Sequence, residues 1–273
     1  MSDNLYHAVP TALTIAGSDS GGGAGIQADL KSFSALGVYG ASVITAVTAQ
    51  NTQEVTAVHG IPDDIIAAQI RAVVHDIRID AIKVGMLARS SIIHTVAKEL
   101  TLHSAPIILD PVMIAKSGDA LLQEEAISAL RSCLLPMATL LTPNIPEAAV
   151  LLDTNPAKDP NELEDQGRAL LTMGPKAVLM KGGHASGTNC VDILVLKGKS
   201  PIRLTAPRID TKNTHGTGCT LSSSITAGIA KGLTIEVATH EAHTYLQAAI
   251  TSSDILGIGS GHGPVHHFCR NWI

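Results

Sequence analysis

The sequence predicts an α/β fold in one domain spanning residues 1–273: a mostly parallel central sheet flanked by helices on both faces, in three layers. Three observations predict it. Short apolar runs alternate with longer amphipathic ones along most of the chain, an order that implies parallel strands joined by right-handed helical crossovers. The chain is 45% hydrophobic but only 2% aromatic, so its core is built of Ala, Val, Ile and Leu, the residues of a sheet buried on both faces. Finally, polar residues gather just after the apolar runs, where open parallel sheets bind ligands.

The first predicted strand is 13–17. It is followed by a helical stretch at 24–36, in which Ile26, Leu30 and Phe33 mark the buried face at i, i+4 and i+7. Strands at 41–49 and 55–59 precede a helix at 63–74. Strand 81–84, helix 90–102, strand 106–110, helix 124–135, strand 138–142, helix 163–173 and strand 177–181 continue the alternation. The pattern then changes. Residues 191–196 and 202–205 read as a hairpin around Lys197-Gly198-Lys199, and helices at 218–231 and 235–256 follow. No internal repeat, low-complexity tract or long linker suggests a second domain.

Composition excludes several classes. The net charge is -5 with no run of like charges, unlike the basic, aromatic-studded surface that nucleic acid requires. Met1-Ser2-Asp3-Asn4 leads into no long apolar stretch, so neither a signal peptide nor a membrane span is expected. Cys133, Cys190, Cys219 and Cys269 are scattered without a Cys-x-x-Cys pair, which suggests neither a zinc site nor a disulfide framework and makes a reducing cytoplasm the expected home.

The strand ends carry the chemistry. Ser18-Asp19-Ser20-Gly21-Gly22-Gly23-Ala24-Gly25 follows the first strand and Gln50-Asn51 the second. Gly85-Met86, Asp110-Pro111-Val112-Met113, Pro143-Asn144 with Glu147, and Lys181-Gly182-Gly183-His184 end later ones. Turn chemistry accounts for scattered Gly, Asn and Asp, but not for Gln50 or Lys181. Gly23-Ala24-Gly25-Ile26-Gln27-Ala28 matches a relaxed dinucleotide fingerprint, yet residues 43–48 lack the acid that would hold a ribose. There is no G-x-x-x-x-G-K-[ST] loop either. The remaining phosphate device is Asn213-Thr214-His215-Gly216-Thr217-Gly218-Cys219-Thr220, which runs into the helix at 221–231. Its glycines bare backbone N–H groups at a helix N-terminus, suited to a transferred phosphoryl group; the plainer alternative is a turn that only starts a helix.

Thr211-Lys212-Asn213-Thr214-His215-Gly216-Thr217-Gly218-Cys219-Thr220 resembles the anion-hole signature of the ribokinase-like superfamily, with Cys219 where Asp is usual. Leu13-Thr14-Ile15-Ala16-Gly17-Ser18-Asp19, Gly22-Gly23-Ala24-Gly25-Ile26-Gln27-Ala28-Asp29, Lys83-Val84-Gly85-Met86-Leu87, Ala115-Lys116-Ser117-Gly118 and Gly263-Pro264-Val265-His266-His267-Phe268 extend the match over nearly the whole chain. The chain thereby resembles the hydroxymethylpyrimidine and phosphomethylpyrimidine kinases of thiamine biosynthesis. The resemblance implies a cytoplasmic homodimer that uses ATP and Mg²⁺. It would phosphorylate 4-amino-5-hydroxymethyl-2-methylpyrimidine to its monophosphate and then to the diphosphate. It implies Gln50, Asp29, Ala24, Met86 and Val112 around the pyrimidine, and Lys181, Asn144, Lys212 and Thr214 at ATP. Asp110 and Glu147 would hold the metal, and Gly216, Gly218 and Cys219 would serve catalysis.

Each assignment has a plainer rival. Gln50 suits an aminopyrimidine edge because an amide both donates and accepts, but could be an ordinary loop glutamine. Asp29 lies on the buried side of its helix and needs a partner, which the resemblance places in the substrate amino group; otherwise it is a first-turn acid. Met86 and Val112 offer aliphatic and thioether surface to a ring, or are core residues. Asn144-Ile145-Pro146-Glu147 also reads as a capping box. A thiol with a pKa near about 8.5, lowered at a helix N-terminus, makes a Cys219 base plausible. His262, His266 and His267 are expected in a tail packed on the body. Residues 115–119 and 185–189 are candidates for a lid. A pyridoxine or pyridoxal kinase is the alternative enzyme, and a non-catalytic pyrimidine sensor the alternative outside catalysis.

Overall fold

The computed structural model describes residues 9–113, 124–183 and 187–272. His184, the 115–118 motif and the 115–119 lid candidate lie outside them, as does part of the 185–189 candidate.

The alternation seen in the sequence builds the predicted three layers. In chain order, β1 (Thr11–Ser18), α1 (Gly25–Ala35), β2 (Tyr39–Gln50), β3 (Val55–Gly60), α2 (Asp63–Asp76), β4 (Ala81–Val84), α3 (Ser90–Leu100) and β5 (Ile107–Leu109) form the first half. The second half is α4 (Glu124–Ala129), β6 (Leu140–Leu141), α5 (Ile145–Leu152), α6 (Pro160–Leu171), β7 (Ala177–Met180), β8 (Asn189–Leu196), β9 (Ile202–Pro207), α7 (Thr217–Ala230) and α8 (Ile235–Thr251).

Among the described residues the sheet has nine strands in the order β3-β2-β1-β4-β5-β6-β7-β8-β9. The centre, β2 through β7, is parallel, while β3 and β8 run opposite to it and β9 pairs antiparallel with β8 at the edge. After β1 the chain moves to β2 on one side, then returns to β4 on the other. The carboxyl ends of β1 and β4 therefore flank a switch point, where a crevice is topologically required.

Alternation along the strands feeds two cores. Ile107 and Leu109 pack with Ile66, Ile92, Val96 and Leu170 from α2, α3 and α6. Ile108, between them, faces the opposite side with Leu221, Ile225, Ala238 and Leu246 of α7 and α8. Side chains two apart on a strand share a face, so a three-residue strand serves both layers.

Most boundaries shift by a few residues, and three helices depart further from the sequence reading. The helix expected at 124–135 ends at Ala129 and continues as a π turn, Leu130–Leu134, and a 3₁₀ turn, Leu135–Met137. Pro136, in that last turn, lacks the N–H an α-helix would use. The last helix stops at Thr251 and resumes as a 3₁₀ turn, Ser253–Leu256. Finally, α5 was visible only as its cap. Its eight residues are mostly apolar and too few to display a helical period, but Asn144 and Glu147 do form the expected capping box.

Candidate active site

Two helices start at the switch point, each behind a glycine-rich loop. α1 follows residues 18–24 and α7 follows 213–216, and the two loops touch. Gly216 caps α7 with φ 79°, and a Cβ there would overlap the Gly23 carbonyl oxygen. Only glycine meets both demands.

The loop before α1 is filled from within. Asp19 Oδ1 accepts the Gly21 N–H at 2.8 Å, and Oδ2 accepts those of Gly23 and Ala24 at 3.1 and 2.9 Å. Ala24, expected at the substrate, thus spends its N–H on Asp19. The dinucleotide-like glycines cradle a carboxylate of the protein itself. Burial alone would raise the Asp19 pKa, but His215 and these N–H groups outweigh it and hold Asp19 below its usual value.

The N-terminus of α7 carries no side-chain cap. Asp110, just past β5, and Lys181, just past β7, meet beside it. Lys181 Nζ donates to Asp110 Oδ1 at 2.8 Å and lies 3.9 Å from Glu147 Oε2. Thr142 and Ser222 hydroxyls, each at 3.1 Å, complete the Asp110 carboxylate. A Cβ on Gly218 would stand 3.4 Å from Lys181 Nζ and 3.7 Å from Asp110 Oδ2, so the first turn of α7 and this ion pair share one space. Burial favours the neutral Asp110 acid, yet Lys181 and Lys83 overcome this and keep it below the usual range. Glu147 goes the other way. Burial pushes it up to about 7, with Asp110 adding to the rise and Lys181 and the Asn144 and Met113 backbone opposing it.

Beneath the α7 turn lies a pair that the sequence reading missed. Lys83 and Asp29 are both fully buried, with Nζ 2.9 Å from Oδ2, and Thr14 donates to the same oxygen at 2.6 Å. Asp29 Oδ1 has no partner among the described residues. This corrects the reading of Asp29 as a ligand of the substrate amino group: its carboxylate has no accessible surface, and its partner is an ammonium from β4. The signal was legible, for Ala81-Ile82-Lys83-Val84 is a strand otherwise apolar, and a lysine inside one requires an acid.

Cys219 sits above this pair and reverses a second expectation. Its thiol is pushed up to about 11, not lowered. Burial is the largest cause. The Lys83 charge and the Gly25 N–H favour a thiolate, but Asp29 and Asp110 oppose it.

The other expected residues fall on either side. Gln50 ends β2, accepts from the Thr48 hydroxyl at 3.1 Å through Oε1, and has Nε2 3.4 Å from His215 Nε2. Met86 lies over Gly17, where a Cβ would come 2.5 Å from its Cε. Val112 is half-buried rather than in the core. Asn144 bridges to Lys181 in parallel register while its side chain caps α5. Lys212 borders an open cleft of about 500 Å³ formed by residues 210–213, Asp254 and 257–259, with neither Asp110 nor Glu147 in its lining; its backbone oxygen accepts from Thr214 N–H at 3.0 Å. The tail packs on the body as expected. The Tyr245 hydroxyl donates to the His267 backbone, Phe268 stacks on Trp272, and burial and Lys31 hold His267 down to about 3. Nothing in the local sequence pairs Asp19 with His215, which lie 196 residues apart.

Fold and site together define a small-molecule phosphotransferase: a switch-point crevice with an open helix N-terminus flanked by a lysine and two buried acids. Comparison with known proteins narrows the class. Residues 19–266 match the profile of the phosphomethylpyrimidine kinase family. A hydroxymethylpyrimidine/phosphomethylpyrimidine kinase of Rhizobium meliloti (strain 1021) is 53% identical over 261 residues, 96% of this chain and 98% of that one. The structure of a phosphomethylpyrimidine kinase from Clostridium difficile 630 superposes with a TM-score of 0.78 at 46% identity, covering 88% and 99% of the two chains. An ADP complex of Bacillus subtilis pyridoxal kinase superposes with a TM-score of 0.90 at 36% identity, covering 97% and 100%. The chain belongs to the phosphomethylpyrimidine kinase family. Its fold is ribokinase-like, and no helix among the described residues is long and apolar enough to cross a membrane.

Proposed function

We propose that this chain uses ATP to phosphorylate the hydroxymethyl group of 4-amino-5-hydroxymethyl-2-methylpyrimidine, and then the monophosphate to the diphosphate, for thiamine biosynthesis. One observation carries the reading. The open N-terminus of α7 lies between Lys181 with Asp110 on one side and Gln50 with His215 on the other, joined through residues 215–219. A phosphoryl donor and an amide-recognised ring would meet there.

In this mechanism the Gly216–Cys219 turn receives the transferring phosphoryl group, and Lys181 takes its charge. The substrate oxygen forms its bond to phosphorus as the ADP oxygen leaves, and the hydroxyl proton is released. With its pKa near about 11, Cys219 is a thiol at neutral pH and serves as packing surface rather than as base. Positioning and charge neutralisation dominate this chemistry. Asn144, Lys212 and Thr214 border the nucleotide, and Met86 and Val112 the ring. Asp29 contributes indirectly by holding Lys83.

Asp110 and Glu147 would hold Mg²⁺. Their oxygen donors suit the ion, which on ATP binds phosphate oxygens and keeps several waters. The ion would neutralise phosphate charge. A cytoplasmic homodimer belongs to the same reading, testable by light scattering.

A second reading is favoured by the TM-score of 0.90 to a pyridoxal kinase. ATP turnover with the aminopyrimidine and with pyridoxine in parallel, products resolved by mass, decides between them. Successive mono- and diphosphate from the pyrimidine is expected. Product from pyridoxine alone would overturn the pyrimidine assignment, and binding of the pyrimidine without turnover would make the protein a sensor.

A further inference from the structure

Residues 50–52 leave β2 on the side of the acceptor, and residues 211–216 lead into the α7 turn on the side of the phosphoryl group. A third segment, residues 259–263, bonds to both. On one side it meets Thr52, whose backbone oxygen accepts the His262 N–H at 2.7 Å and whose hydroxyl oxygen accepts that of Gly261 at 3.2 Å. On the other it meets the α7 loop. Asn213 Oδ1 accepts the Gly263 N–H at 3.1 Å, and the Gly263 carbonyl accepts the His215 N–H at 3.0 Å. The approaches are close enough to exclude side chains. A Cβ on Gly261 would overlap the Thr52 carbonyl oxygen, and one on Gly263 would overlap Asn213 Oδ1.

The segment is also held at its two ends. Before it, Asp254 Oδ1 accepts from Asn213 Nδ2 at 2.6 Å and from the Thr211 hydroxyl at 2.5 Å. After it, Val265, His266 and His267 are buried, the Val265 N–H donates to the His215 carbonyl at 3.2 Å, and the His266 N–H donates to the Ala249 carbonyl at 2.9 Å. The N–H groups of Asn213, Thr214 and His215 are spent on Thr211 Oγ1, Lys212 O and Gly263 O. The donors left for a phosphoryl group thus begin at the α7 turn itself. Their place is set by what holds residue 215, and both backbone groups of that residue are held by the tail.

We propose that residues 259–263 are a positioning strap, with Asn213 and Thr52 as its anchoring residues, that fixes the α7 turn against the end of β2 and so keeps phosphoryl group and acceptor aligned. Neither anchor touches the reacting atoms. Their effect is on alignment, which dominates phosphoryl transfer, and a displacement of about 1 Å there costs on the order of 10²-fold. The inference rests on the phosphotransferase reading of the site and adds what holds its two halves in register.

The test is a double-mutant cycle on the full chain, read by steady-state kinetics well below the melting temperature and by amide hydrogen exchange. Asn213→Ala is expected to lower kcat about 10²-fold with both KM values within about threefold, the pattern of an arrangement felt only in the transition state. Thr52→Val keeps the side-chain shape but removes the acceptor of the Gly261 N–H. It should lower kcat about tenfold and speed exchange of the 213–217 amides, to which Thr52 does not bond. A single tie is broken only once, so the double variant should be no slower than Asn213→Ala, whereas independent contacts would multiply to about 10³-fold. Asn213→Asp sets a second carboxylate against Asp254 and should be as slow as the alanine variant. Adding Asp254→Asn reverses donor and acceptor, keeps the net charge and should recover most of kcat. A role in stability alone would leave kcat per folded molecule near wild type. That result, multiplying effects, a rise confined to the KM for ATP, or unchanged 213–217 exchange in Thr52→Val overturns the proposal. If the wild type turns over neither the aminopyrimidine nor pyridoxine, the phosphotransferase reading fails, while the exchange result still decides the strap.

Discussion

The starts of α1 and α7 are alike in sequence and opposite in use. Both follow glycine-rich loops, both aim N–H groups at the switch point, and they touch at Gly23 and Gly216. Neither helix has a side-chain cap, yet the loop before α1 is filled by the Asp19 carboxylate, whereas α7 begins beside Lys181 and Asp110 with no such carboxylate on its loop. A helix N-terminus attracts an anion in either case. What decides the use is whether the protein supplies the anion from its own chain. Glycines therefore mark where backbone can serve as donor, and the nearest acid decides whether the donor remains for a ligand.

The comparison can be broken most severely at Lys181. Lys181→Met is expected to lower kcat/KM by about 10³-fold, the scale of losing a main charge-stabilising donor at a transition state, as steady-state assays would read. A residual loss under tenfold would mean that α7 alone carries the phosphoryl group. At α1, Asp19→Ala strands three N–H groups and is expected to destabilise the protein by ~2–4 kcal/mol, measured by urea denaturation. Added sulfate should stabilise the variant more than the wild type, in which only the open α7 start and the general effect of sulfate act. Equal responses would show that the two nests do not differ in the way described.

Glu147 sharpens the picture through pH. Its pKa of about 7 in the fold exceeds the ordinary 4.5, so the folded protein binds that proton more tightly than the unfolded chain. The stabilisation is complete below about 4.5 and is lost as pH rises through about 7. The melting temperature of the ligand-free protein should fall across that window relative to Glu147→Gln, which keeps the capping pattern. A parallel course for the two proteins would place the carboxyl in an unperturbed setting. The smallest effect is expected at Cys219. With the thiol neutral until about pH 11, Cys219→Ala should cost less than about tenfold in kcat, because positioning dominates this chemistry. The kcat profile should show no inflection of the thiol near pH 8–9. A thousandfold loss would restore the cysteine as base.

Some of this was legible along the chain. The parallel centre could be read because period-two apolar strands and 3.6-period helices are written in local sequence. The placement of Asp110, Lys181 and the α7 turn at one edge followed from the rule for strand ends. Asn144 and Glu147 announced their cap because its partners are three residues apart. The rest required pairing across distance. Asp29 on α1 and Lys83 on β4 are 54 residues apart, and only the adjacency of β1 and β4 brings them together. The low pKa expected of Cys219 failed for the same reason. A helix N-terminus is a local property, but burial beside two carboxylates depends on what the whole fold stacks over the thiol. The sequence by itself determined the elements, their order and the edge where the polar residues gather, because these rest on neighbours in the chain. Only the tertiary structure decided which acids are neutralised, which glycine loop is filled and which donors remain open, because charge and desolvation act through space.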